Sequence, residues 1–280
     1  MEVDDQQNSF QPIDIRTIVQ AKNPKLARRV PGFIYRWLTK ILHLKEINAF
    51  MKVSGHLKGT AFMKDFFAEM DIHSNIIGEE NIPREGRFIF ASNHPLGGLD
   101  GVILMNYLNE NLGLTRSLAN DFLMAITPIS EWLVPINKVG RQSRKAVTQA
   151  EELYQSENQI LIFPAGLCSR KIKGKITDLT WQKHFIQKAV ENKIDIIPIF
   201  FGGRNSTFFY NLAKIRKFFR IKFNIEMMYL ADEMFRQRGK TFTLYFGKPI
   251  PYTTFTPAKR PLEWAAEVKK IAYSLPGSKN

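Results

Sequence analysis

The sequence predicts an α/β fold: a mixed, largely parallel central sheet flanked by helices, preceded by an N-terminal helical segment. Three observations carry this. From residue 72 onward, apolar stretches of strand length alternate with stretches of helical periodicity. Some of the strand-length stretches, 194–201 above all, are apolar at nearly every position, the mark of strands covered on both faces. Residues 14–70, in contrast, show apolar residues at helical spacing only.

Taken in order, residues 1–10 are polar and read as a disordered tail. They lack the basic start, apolar core and small-residue cleavage site of a signal peptide. Several helices follow over 14–70. The clearest begins at Pro31-Gly32, where Ile34, Trp37, Leu38, Ile41 and Leu42 form an apolar stripe with Arg36 and Lys40 turned away. Strands are expected at 72–78, 88–92, 115–119, 133–137, 159–163, 194–201 and 241–246. Helices are expected near 100–109, 144–155, 181–192 and 206–219. Pro198 inside a strand argues for a sheet edge or a bulge there. The chain divides into a basic amphipathic helical segment, 1–71, and a sheet domain, 72–280; a length of 280 residues suits one large domain with an appendage.

Composition narrows the function. Hydrophobic content of 44% is that of a globular protein. There is no run of about 18 apolar residues, which argues against a spanning helix. One cysteine, Cys168, excludes an intrachain disulfide framework and fits a reducing compartment. The net charge of +14 attracts nucleic acid, anionic lipid or acidic proteins. Ten Lys/Arg face one acid, Glu46, between Arg16 and Lys58, and six Lys/Arg face none from Arg204 to Lys222. Both segments interleave the cations with bulky apolar residues at helical spacing, which suits a membrane interface or a core-packed helix with a basic edge. No zinc-finger spacing or RNA-recognition signature supports nucleic acid. His43, His56, His73, His94 and His184 show no metal-ligand spacing.

Four blocks carry candidate chemistry. The first is Asn93-His94 with Asp100. An apolar strand ends in Asn-His-Pro and two glycines, and a helical pattern starts at Leu99, so an imidazole leaves a strand end while a carboxylate opens a helix. An isolated pair of this kind is commonly a turn histidine beside a capping aspartate. A carboxylate that fixes an imidazole tautomer also makes a general base. Gly97 and Gly98 bring backbone N–H groups near a ligand or a developing oxyanion. The second block, Phe163-Pro164-Ala165-Gly166-Leu167-Cys168-Ser169-Arg170, opens a buried strand into a Pro/Gly loop and a basic patch. The third runs Val134-Pro135-Ile136-Asn137-Lys138-Val139-Gly140-Arg141, followed by Arg144 and Lys145. The fourth is Ile196-Ile197-Pro198-Ile199-Phe200, followed by Gly202, Gly203 and Arg204. Clusters past several strand ends suggest one site, because α/β sheets bind ligands at their strands' carboxyl ends.

In order, these blocks resemble the glycerolipid acyltransferase superfamily. That family places Asn-His, four residues and Asp first, then a basic block, then Phe-Pro-Glu-Gly-Thr-Arg-Ser, then a Val-Pro-Val-like strand. The match spans roughly residues 75–250 and makes 72–280 the acyltransferase domain, with a glycerol-3-phosphate acyltransferase-like fold. Five residues rather than four separate His94 from Asp100, and Ala165 and Cys168 stand where the family has Glu and Arg. The latter two losses argue against a lysophosphatidate-type acceptor, because that block helps bind the acceptor's phosphate in the family. The Phe-Pro-Ala-Gly…Ser-Arg form is similar to a hemolysin-like branch that includes O-acyltransferases completing bacterial amino-acid lipids.

The resemblance implies transfer of a fatty acyl group from acyl carrier protein or acyl-CoA to the hydroxyl of a lyso-lipid, without a cofactor or metal. His94 is the general base, oriented by Asp100. Asn93, Gly97, Gly98, Lys138, Arg141, Arg144, Pro164, Gly166, Ser169 and Arg170 are the candidate substrate-binding residues. Cys168, with no adjacent base, reads as a buried loop cysteine rather than a thioester-forming nucleophile. The expected setting is the cytoplasmic face of the inner membrane, with the protein peripheral on an anionic surface. Two alternatives stay open: an acyl-thioester hydrolase using His94 and water, and a basic nucleic-acid-binding protein. No Gly-x-Ser-x-Gly elbow supports a serine hydrolase.

Overall fold

The computed structural model describes residues 12–120, 124, 126–136, 144–221 and 224–277; the expected tail at 1–10 lies outside them. Five helices come first: α1 (Ile15–Lys22), α2 (Pro24–Arg29), α3 (Gly32–Ile41), α4 (Leu44–Ser54) and α5 (Gly59–Glu69). The first two start on side-chain caps. Asp14 accepts the N–H groups of Arg16 and Thr17 at 2.6 and 3.1 Å. Asn23 accepts that of Leu26 at 3.0 Å, and Pro24 occupies the first turn, where its missing N–H costs nothing. On α3 the apolar stripe is divided: Tyr35 and Ile41 are buried, Ile34 and Leu38 half-buried, Phe33 and Trp37 exposed.

The remaining elements are β1 (His73–Ile77), β2 (Phe88–Ser92), α6 (Leu99–Leu112), β3 (Thr115–Asn120), β4 (Leu133–Ile136), α7 (Arg144–Gln155), β5 (Gln159–Ile162), β6 (Arg170–Ile172), β7 (Lys175–Thr177), α8 (His184–Asn192), β8 (Asp195–Gly202), α9 (Thr207–Phe218), α10 (Leu230–Phe235), β9 (Thr241–Phe246) and α11 (Pro261–Ser274). Seven strands form one sheet in the order β1-β9-β8-β2-β5-β3-β4, and β6 and β7 form a separate hairpin. Every neighbouring pair in the large sheet is parallel except β8 and β9. The sheet is therefore mixed and largely parallel, as the alternation of strands and helices predicts. The five parallel strands β8, β2, β5, β3 and β4 present their carboxyl ends along one rim.

Strand alternation divides the core into two layers. Phe88 and Phe90 of β2, with Ile197 and Ile199 of β8, face α5 and α6 through Met63, Leu104 and Leu108. Ile89 and Ala91, with Ile194 and Ile196, face α8 and α11 through Phe185, Ala189, Ala265 and Val268. All five residues of β2 are buried, so each large side chain there contributes about 1.5–3 kcal/mol of transfer free energy. The N-terminal helices join this structure through α5, whose Phe62 and Met63 enter the first layer. His43, between α3 and α4, pairs with Asp232 at 3.0 Å and stacks on Phe235 of α10.

Two local expectations are corrected. Pro198 does not lie on a sheet edge: β8 sits between β2 and β9. The bulge alternative holds instead. β9 leaves the ladder at Phe246, the chain rejoins β8 at the Ile196–Ile250 bridge, and Gly247 donates its N–H to the Pro198 carbonyl at 2.9 Å. A residue's N–H and C=O point to the same side of a strand, so the missing Pro198 donor faces this interruption. A Cβ on Gly247 would stand 2.8 Å from the Pro198 ring, which is why glycine occupies the crossing. The helix expected from 181 starts at His184 instead, because Trp181 is fully buried and its indole N–H seeks Asp178 at 2.8 Å.

Candidate active site

β2 carries the candidate base to the rim. Beyond Ser92 the strand leaves the ladder, and the Asn93 side chain replaces the backbone pairing. Its amide donates to the Phe201 carbonyl at 3.0 Å and accepts the Phe201 N–H at 2.6 Å. Asn93 is thus a sheet staple, and its amide is spent on β8. The next residue, His94, is held on three sides. Its N–H donates to Asp178 at 3.2 Å and its carbonyl accepts the Ser169 N–H at 2.7 Å. Its ring stacks on Phe163 with centroids 4.1 Å apart.

Asp100, on the first turn of α6, meets the ring. Its Oδ2 lies 3.1 Å from His94 Nδ1 and accepts the Leu96 N–H at 2.9 Å. Its Oδ1 accepts the N–H groups of Gly98 and Gly101 at 3.1 and 2.9 Å. The carboxyl group is completely buried. Burial alone pushes its pKa up. The His94 ring beside it and the N–H donors around it outweigh that cost, and the carboxyl is held below the ordinary aspartate value. A carboxylate at Nδ1 keeps the ring proton there and leaves the Nε2 lone pair for chemistry. The His94 side chain is 14% exposed, enough for one edge of the ring to meet a ligand.

The five-residue spacer is closed at Gly97, whose φ is +78° and where an added Cβ would stand 3.0 Å from Cys168 and Leu230, which leaves no place for a side chain. Beside Gly98 and Gly166, in contrast, an added Cβ would meet nothing within 4 Å, so the backbone at both is open to an approaching group. Gly98 corrects one expectation: its amide is bound to Asp100 and is not available to an oxyanion.

The loop after β5 is anchored rather than free. Pro164 is buried and its carbonyl accepts the Gln182 N–H at 2.9 Å. Ser169 is buried and its hydroxyl donates to Asp178 at 2.5 Å. Arg170 is engaged by protein groups. It pairs with the fully buried Glu226 at 3.1 Å, which also pairs with Arg216 at 2.8 Å. A second nitrogen of Arg170 lies 2.8 Å from Cys168 Sγ. Burial raises the Cys168 pKa, only partly opposed by Arg170, and the thiol stays protonated. Arg144 is exposed at the start of α7, while Lys138 and Arg141 lie outside the described residues.

Sequence reasoning missed three partners of this site. Asp178 binds the His94 N–H, the Ser169 hydroxyl and the Trp181 indole at once, yet nothing in its local sequence marks it. Phe163 was read as the end of a strand, although its place beside the Pro/Gly loop is a signal that it borders the site. Glu226, a lone acid in a basic stretch, was the available hint of a buried ion pair. Among the described residues no group of three His, Cys, Asp or Glu side chains could hold a metal ion, and no helix is long and apolar enough to cross a membrane.

Comparison with known proteins shows the family. The family described as Acyltransferase has a model that matches residues 17–280. A lyso-glycine lipid O-acyltransferase of Bacteroides thetaiotaomicron is 47% identical over 264 residues, covering 94% of this chain and 97% of that protein. Another of the same name, from Phocaeicola vulgatus, is 46% identical over 264 residues, covering 94% and 95%. The crystal structure of the 1-acyl-sn-glycerophosphate acyltransferase of Thermotoga maritima aligns with a TM-score of 0.47 at 16% identity, covering 87% of this chain and 96% of that one.

Proposed function

The chain belongs to this acyltransferase family, and from that premise we propose that it moves a fatty acyl group from a thioester donor to the hydroxyl of a lyso-lipid, the acceptor being a lyso-glycine lipid. The observation that carries the acceptor is the near-full-length identity to two relatives of that name. Ala165 and Cys168, standing where the family has Glu and Arg, agree with an acceptor that carries no phosphate.

In this reading His94 Nε2 takes the proton of the acceptor hydroxyl as its oxygen attacks the thioester carbonyl. Asp100 stabilises the imidazolium that forms. The carbonyl becomes a tetrahedral oxyanion, a position at which one aligned N–H contributes about 3 kcal/mol. The Gly97 amide, at the turn between His94 and α6, is the donor nearest to hand once Gly98 is assigned to Asp100. Collapse breaks the C–S bond, and the leaving thiolate receives the proton from His94. No acyl-enzyme is required, which suits a protonated, buried Cys168.

Two lipidic substrates favour work at a membrane surface, with the protein peripheral. Phe33 and Trp37 of α3 and Phe208, Ile215 and Phe218 of α9 are exposed, Phe218 to 82%. Tyr229 contacts both Trp37, at 6.1 Å, and Phe208, at 5.0 Å, and so joins the two helices' aromatic groups. Lys214, Lys217 and Arg220 rim them, as an anionic lipid surface requires.

The test is reconstitution. Purified protein, a labelled acyl thioester and monoacyl glycine lipid in anionic vesicles should yield the diacylated lipid. Release of labelled free fatty acid with no lipid product would sink the transferase reading in favour of a hydrolase.

A further inference from the structure

A polar cavity opens past the carboxyl end of β8, with a volume of about 220 Å³. Its wall carries four cations, Lys171, Arg204, Arg236 and Lys240, against one carboxylate, Glu233. Glu233 is already engaged: its oxygens accept the N–H of Ser206, at 2.6 Å, and the Ser206 hydroxyl. Arg236 shares Asp232 at 2.7 Å and Lys240 donates to the Gln237 side chain at 2.9 Å, whereas Lys171 and Arg204 form no ion pair among the described residues. The wall also includes the start of α9, where Glu233 and the Ser206 hydroxyl already serve as the cap.

Asn205 supplies an independent sign of a ligand. It belongs to the cavity wall, is only 3% exposed, and neither polar atom of its side-chain amide has a hydrogen-bond partner among the described residues. Buried polar atoms are almost always paired, so this amide marks a place where a polar group is missing. On one side the cavity wall leads toward the turn between His94 and α6. Tyr210, in the wall, packs with Cys168, and Cys168 abuts the Gly97 turn.

We propose that this cavity is a phosphate subsite, and that the phosphate is the one on the pantetheine arm of the acyl donor. Four cations and an unpaired amide offer more donors than the two oxygens of a carboxylate can fill, and they suit a phosphate's larger set. A glycine lipid's own anion is a carboxylate, whereas acyl carrier protein and acyl-CoA both present a phosphate one flexible chain away from the thioester. The inference rests on the acyl-transfer reading for the identity of the donor, but not for the existence of the site.

Arg204 and Lys240 are exposed, so Arg204→Ala/Lys240→Ala should fold. Calorimetric titration with inorganic phosphate is expected to show at least about tenfold weaker binding in the double variant, the loss of charged hydrogen bonds read as affinity. Kinetics with acyl carrier protein and with acyl-CoA as donors should show donor KM raised by about the same factor, with acceptor KM unmoved and kcat changed less than KM. The donor whose KM responds identifies which molecule brings the phosphate. Unchanged phosphate binding and donor KM would overturn the proposal, as would a rise confined to acceptor KM. Phosphate binding that depends on Arg204 and Lys240 in a wild-type protein with no transferase activity would uphold the subsite and refute the acyl-transfer reading instead.

Discussion

Asp100 and Glu226 are the two carboxylates nearest the candidate site that are completely buried, and they are compensated in opposite ways. Glu226 lies between two guanidinium groups, Arg170 and Arg216, whose charge does not change with any proton in the reaction. Asp100 has three backbone N–H groups and one imidazole, and the imidazole is the only partner able to gain charge. One arrangement neutralises permanently and holds a loop. The other leaves a negative charge that becomes fully paired only when His94 takes a proton, which is the condition under which a base works.

The largest effect expected from this contrast is at His94. Removing the base with His94→Ala should lower kcat by about 10³–10⁴-fold with the fold retained, since the ring is partly exposed and lines the rim. Turnover within tenfold of wild type in a folded variant would remove His94 from the mechanism. Asp100→Asn comes next, at about 10³-fold. Its amide nitrogen would meet either His94 Nδ1 and the Leu96 N–H or the Gly98 and Gly101 N–H groups, placing donor against donor whichever way it turns. Near-normal rates would leave Asp100 as a cap for α6.

Glu226→Gln tests the other side. It strands Arg170 and Arg216, both largely buried, beside a neutral amide, and should cost about 3 kcal/mol of stability by urea denaturation. Activity per folded molecule should fall by less than about tenfold, because Arg170 acts on the loop rather than on His94. A loss in kcat comparable to that of Asp100→Asn would erase the distinction between the two carboxylates. Asp178→Asn is expected to be milder in stability, about 1–2 kcal/mol, since an amide oxygen in the place of Oδ1 still accepts the His94 N–H and the Ser169 hydroxyl and only the Trp181 indole loses its acceptor.

What was legible in the sequence follows the range of the interaction. β2 at 88–92, β9 at 241–246 and α7 at 144–155 were read to the residue, because apolar runs and turn chemistry within a dozen positions decide them. The contact between His94 and Asp100 was legible for the same reason: a strand end, a glycine turn and a helix start fix their separation locally. Asp178 reaches His94 from 84 residues away and carries no local mark of that role. Arg170 read as a free cation because its partner, Glu226, lies 56 residues further on. Pro198 left an edge and a bulge both open, because a central strand tolerates it only where its neighbour breaks step, and the break at Gly247 lies in a distant stretch of the chain.

The smallest expected effect is a pH dependence, and its sign follows from Asp100. Its folded pKa lies below the ordinary value, despite burial, because of the His94 ring and the N–H donors. A carboxyl whose pKa is lowered by folding contributes stability that is present above its unfolded pKa and is lost as pH falls through the folded one. Asp100→Asn carries no titrating group at this position. The gap in urea midpoint between wild type and Asp100→Asn should therefore be full at neutral pH and narrow as pH drops through and below the aspartate range. A gap that stays constant across that range would mean that the aspartate's packing, rather than its charge, holds the turn. The contrast with Glu226 would then lie in geometry alone.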